Sequence, residues 1–177
     1  MTRAALMLLA YLPAVPVFAE VADSSANGFT VKISVTVQGT PDEVYRKFLQ
    51  VGDWWESAHT FSGNAHNLSI DDKPMGCFCE KLAKSGAVRH MEVLFVAPAQ
   101  AIVMTGGLGP LQSMGVAGSL RIQMSKAESG TRLDVSYAVG GYAPGGLNQM
   151  AAPVEGVLTQ QFARLKNLVE RGDPAAK

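Results

Sequence analysis

The 177-residue chain sets 15 Lys and Arg against 15 Asp and Glu, and without a long block of like charge it lacks the field that draws a protein to nucleic acid. Only two cysteines occur, Cys77 and Cys79, which excludes the disulfide framework of small secreted folds. With 47% hydrophobic residues, one ordinary domain with its own core is the expectation.

Arg3, an apolar run over residues 4–12 and the triplet Val17-Phe18-Ala19 open the chain. That is the pattern of a secretory signal peptide over residues 1–19. Broken by Pro13 and Pro16, the run falls short of the roughly 20 apolar residues that cross a bilayer. The expectation is an exported protein, periplasmic or secreted, that begins near Glu20 and has no transmembrane span after cleavage.

Residues 20–29 read as a polar linker, 30–171 as the domain and 172–177 as a tail. Thr30-Val31-Lys32-Ile33-Ser34-Val35-Thr36-Val37 alternates apolar and polar with period two, which predicts a half-buried strand. Thr40-Pro41-Asp42-Glu43 then combines a capping hydroxyl, a first-turn proline and a carboxylate three residues after the cap, so a helix starts there. Its stripe of Val44, Phe48 and Leu49 ends before Gly52, and Asp53-Trp54-Trp55 is expected to open a second short helix.

Strands follow over 66–70, 77–83, 88–96, 100–106, 117–125 and 131–139, joined by short turns as an antiparallel meander. Lys84-Ser85-Gly86-Ala87 and Glu128-Ser129-Gly130 supply two of those turns. Over 147–171, Val154, Val157, Leu158, Phe162, Leu165, Leu168 and Val169 recur at helical spacing. Pro153 belongs in the first turn of that helix or at a kink after a short turn over 147–152, and Gly172 with Pro174 stops it. The order predicts an α+β fold: a curved antiparallel sheet of about six to seven strands around a long C-terminal helix, with two short helices after the first strand.

Three constellations carry possible chemistry. Trp54 and Trp55, adjacent at the open end of the sheet, can line a pocket mouth or pack in the core. Cys77 and Cys79 leave one face of a strand, about 6.6 Å apart at the backbone, so a disulfide needs a distorted strand. A two-residue hairpin at Ser85-Gly86 would set Cys79 opposite Glu92 and bring Cys77, Cys79, His90 and Glu92 to one face as a zinc set. A one-residue slip removes it. Structural or redox roles for the cysteines are the competing reading. For acid–base chemistry the candidates are His59, Glu80 and Glu92, while His66 reads as a polar loop residue. The glycine-rich stretches 106–110 and 140–146 lack a phosphate-loop pattern and read as rim loops.

Thr40-Pro41-Asp42-Glu43-Val44-Tyr45, within this element order, resembles the START-like (SRPBCC) helix-grip superfamily over residues 30–170. Trp54-Trp55, His59-Thr60-Phe61-Ser62-Gly63, Gly76-Cys77-Phe78-Cys79-Glu80, Gly109-Pro110-Leu111 and Gly140-Gly141-Tyr142 are similar to an exported bacterial branch. That branch is grouped with polyketide cyclase-like proteins and homologues of the activator of a heat-shock ATPase. The resemblance implies a cavity between sheet and helix, with Tyr142 as a gate and Met104, Leu120, Met124, Tyr137, Met150 and Val154 lining it beside Trp54, Trp55 and His59. The leading expectation is an exported binding protein for a small apolar or amphipathic molecule, without a cofactor. The alternatives are a cyclase-like or hydrolytic enzyme using the same cavity, or a protein-interaction module.

Overall fold

In the computed structural model, residues 17–176 are described; residues 1–16 of the expected signal segment, 1–19, lie outside them. The strands are β1 (Phe18–Ser25), β2 (Gly28–Val37), β3 (Leu68–Ile70), β4 (Cys77–Lys81), β5 (Ala87–Ala97), β6 (Ala101–Thr105), β7 (Gly115–Ala127) and β8 (Gly130–Tyr142). Two α-helices accompany them, α1 (Pro41–Leu49) and α2 (Asn148–Arg171). All eight strands form one antiparallel sheet in the order β1-β2-β8-β7-β6-β5-β4-β3. A curved sheet with a long C-terminal helix is compatible with a helix grip.

The strand count exceeds the expected six to seven because the last two residues of the expected signal segment and the first six of the expected linker pair as β1, from Phe18 opposite Ser34 to Ser25 opposite Gly28. This edge strand is held by its backbone and leaves nearly all its side chains exposed, so it carries no apolar alternation to read. The alternating segments behave as expected. Val31, Ile33 and Val35 of β2, Ile122 of β7, and Leu133, Val135 and Tyr137 of β8 are buried. They share one core with Leu158, Phe162 and Leu165 of α2.

Helix α1 starts at the expected capping box: the Glu43 carboxylate accepts from Thr40 N at 2.8 Å while the Thr40 hydroxyl accepts from Glu43 N at 3.4 Å. Such a cap is worth about 1 kcal/mol. The expected second helix at Asp53-Trp54-Trp55 is replaced by short 3₁₀ turns, Val51–Asp53 and Ser57–His59, with the two tryptophans between them. Pro153 lies inside α2, in its second turn, rather than at its start. It is exposed, and it removes the bond that its position would have made to Gln149. At the far end Gly172 adopts the left-handed conformation at φ 73° and donates to Leu168 O at 3.0 Å, closing the helix as a glycine does best.

The β4–β5 connection sets the register at the site. Lys81 pairs with Ala87, so five residues rather than two make the turn, with Lys84 at φ 55° and Ser85 at φ 63°. Cys77 faces Glu92, Phe78 faces Met91 and Cys79 faces Arg89. His90 is therefore the extra residue of a β-bulge, and a bulge re-aims its side chain.

Candidate functional site

The bulge turns two successive residues of β5, His90 and Met91, inward, leaving them 5% and 1% exposed. On the neighbouring strand Glu80 also points inward and is fully buried. The imidazole Nε2 of His90 lies 3.0 Å from Glu80 Oε2. Two backbone N–H groups complete the carboxylate's shell, Phe61 at 3.1 Å and Ser62. Burial opposes the charge on Glu80, but the Ser62 hydroxyl and N–H, the Phe61 N–H and His90 outweigh it and hold the carboxyl below its usual range. Burial also holds the His90 imidazole below its ordinary 6.5, against the pull of the facing carboxylate. The pair at neutral pH is an ionised carboxylate and a neutral imidazole.

Aromatic rings connect this pair to the core. Phe48 lies 6.0 Å from Trp54, Trp54 lies 5.6 Å from Trp55, Trp55 meets Phe78 edge-on at 5.6 Å, and Phe78 lies 5.0 Å from His90. Phe61, half-exposed, also packs on His90, at 5.8 Å. Contacts of this type add about 0.5–1.5 kcal/mol each beyond their buried area.

Between these rings and the first half of α2 lies a pocket of about 420 Å³. Its walls are Trp55 with the segment 58–61, Phe78 and His90 from the sheet, Leu108-Gly109-Pro110 from a rim loop, and Met150, Pro153, Val154, Val157 and Leu158 from α2. Only His59, Thr60 and His90 bring a hydrogen-bonding side-chain group other than the Trp55 indole N–H. The indole donates to His59 O at 3.0 Å, and the Thr60 hydroxyl donates to Ser57 O at 2.8 Å. Mostly apolar walls with a few placed polar groups are the composition of small-molecule sites.

Of the sequence candidates, Trp55, His59, Met150 and Val154 line this pocket. Trp54 instead packs between Phe48 and Phe162, its Nε1 donating to Phe48 O at 3.1 Å. Met104, Leu120, Met124 and Tyr137 face inward as alternation predicts, but all are buried in the core and none lines the pocket. Tyr142 is 75% exposed at the end of β8 and also stands outside the pocket lining.

Tyr137 has another task. Its hydroxyl donates to Gly106 O at 3.0 Å and accepts from Leu108 N at 3.1 Å, and burial raises its pKa to about 12. The phenol thereby ties down the rim loop. Gly118 is needed for this approach, since a Cβ there would lie 2.7 Å from the Tyr137 ring and hydroxyl.

The zinc set does not assemble. Cys77 and Cys79 are joined as a disulfide, His90 is turned inward by the bulge, and Glu92 pairs with Arg89 at 2.8 Å. Among the described residues no three His, Cys, Asp or Glu side chains converge as a metal site. Of the acid–base candidates, Glu80 sits behind His90 and Glu92 lies away from the pocket, while His66 is exposed beside Asp53. The Glu80–His90 pairing was not visible in the sequence; the one signal that could have pointed to it is that Glu80 stands two residues from Phe78, on the inward face of its strand, where a carboxylate needs partners.

No family model and no curated protein matches the chain. Solved structures do. MLL2253 from Mesorhizobium loti is 18% identical, with a TM-score of 0.60 over 81% of this chain and 98% of its own. CalU16 from Micromonospora echinospora is 15% identical, with a TM-score of 0.60 over 92% of this chain and 88% of its own. EF2215 from Enterococcus faecalis, a conserved protein of unknown function, is 13% identical, with a TM-score of 0.56 over 91% and 80%. At these identities the likeness defines a fold, a helix-grip-like sheet around a C-terminal helix, and nothing finer.

Proposed function

We propose that the protein is an exported binding protein of the START-like type, which holds a small apolar or amphipathic molecule between the first half of α2 and the β4–β5 corner of the sheet. The single observation that carries this reading is the pocket of about 420 Å³, walled by aromatic and aliphatic side chains and bordered by a tethered glycine-rich loop. Export rests on the Arg3, residues 4–12 and Val17-Phe18-Ala19 pattern. The cyclase-like alternative draws on the same pocket, with His90 and Glu80 rather than His59 and Glu92 as its acid–base groups.

Native mass spectrometry of the protein purified from the exporting cell, followed by solvent extraction, tests the reading. A stoichiometric apolar compound released intact is the expected result. A protein that is empty, and that also ignores naphthalene in a Trp55 fluorescence titration, would falsify it; conversion of the extracted compound on re-addition would replace it with the enzyme alternative.

A further inference from the structure

Resting on that pocket, the inference concerns what the ligand must carry. Ionised Glu80 has only acceptor oxygens, so the 3.0 Å contact requires His90 Nε2 to hold the shared proton. A neutral imidazole with its proton on Nε2 has a bare lone pair on Nδ1. Among the described residues Nδ1 has no hydrogen-bond partner, yet it is not a sealed, unsatisfied atom. His90 itself is 95% withdrawn from solvent and lines the pocket. The pocket is the void that His90 lines, with the Phe61 and Phe78 rings 5.8 and 5.0 Å from its own.

No other side-chain nitrogen of the wall is left as an acceptor: with Nδ1 of His59 taken, its Nε2 is a donor. His59 Nδ1 takes the Gln161 amide at 2.9 Å, and Thr60 and the Trp55 indole donate to backbone oxygens. We propose that the Glu80–His90 pair makes this pocket selective for apolar molecules bearing one hydrogen-bond donor, a phenol or hydroxyl, whose O–H donates to His90 Nδ1. Glu80 is then a positioning residue, fixing the tautomer and ring orientation. Phe61 and Phe78 pack on the imidazole, and the ligand's apolar body lies against Trp55, Val154 and Val157.

The test compares 1-naphthol with 1-methoxynaphthalene, which differ in the donor, by calorimetric titration of the full protein and of His90→Phe. The wild type should bind the naphthol about five- to tenfold tighter, the worth of one buried hydrogen bond, and His90→Phe should bind both equally. Equal wild-type affinities would overturn this inference and leave the binding-protein reading intact, whereas binding of neither probe would overturn both. Because His90→Phe removes a partner of a buried carboxylate and can fail to fold, a second measurement stands apart from it. Long-range nitrogen–proton NMR correlation on the wild type should show His90 protonated on Nε2 alone; a proton on Nδ1 would overturn the inference outright.

Discussion

Gln161, fully buried in α2, hydrogen-bonds His59 through its amide nitrogen at 2.9 Å. Its carbonyl accepts the Glu56 N–H at 2.7 Å. One side chain of the long helix thus fixes both ends of the 56–59 segment that forms a pocket wall. Gln161→Leu keeps the volume and strands those partners, at about 1–3 kcal/mol. Urea unfolding should show that loss together with weaker binding of apolar probes. Unchanged stability would mean that water replaces the amide.

Acid should destabilise the protein in two stages. His90 is held neutral in the fold but takes a proton in the unfolded chain below 6.5, so the unfolded state binds more protons and stability falls with pH from there. Glu80 adds the same sign lower down: its stabilisation is full above 4.5 and is lost as pH falls through its depressed folded value. Denaturant midpoints measured from neutral to about pH 4 should decline throughout. His90→Phe should remove the upper stage, and a midpoint that rises on acidification would contradict the assignment.

Tyr137→Phe removes the hydroxyl that bonds Gly106 O and Leu108 N and leaves the packing of the ring unchanged. The expected cost is about 1–3 kcal/mol, accompanied by faster amide exchange at Leu108. Exchange as slow as in the wild type would show that the rim loop is held by other contacts.

Phe162, 2% exposed, packs 6.1 Å from Trp54 beneath the sheet. Phe162→Ala should cost about 3–5 kcal/mol, read from the shift of the unfolding midpoint. A negligible shift is incompatible with this packing.

The Cys77–Cys79 cross-link draws the Cα atoms to 5.3 Å, closer than the roughly 6.6 Å of a regular strand, at the strand position where the register shifts opposite His90. Maleimide should label the purified protein only after reduction. Labelling without reductant would show free thiols.

The core face was legible wherever one side of a strand is buried, because Val31, Ile33 and Val35, or Leu133, Val135 and Tyr137, then recur every second residue. β1 was hidden because an exposed edge strand is specified by backbone pairing and not by its side chains. The same alternation could not tell which inward residues meet a void. Met104, Met124 and Tyr137 are buried in the core, while Phe78 and His90, farther along the sheet, meet the pocket. His90 escaped for a sharper reason: one extra residue in β5 and a five-residue turn moved it out of register with the cysteines.

Trp54 and Trp55 stand 5.6 Å apart with their planes tilted by 56°, close enough for their electronic transitions to couple as a single chiral chromophore. One indole is locked in the core and the other forms a wall of the pocket. An occupant that nudges Trp55 changes the angle of that coupled pair, so near-ultraviolet circular dichroism becomes an optical gauge of occupancy that needs no label.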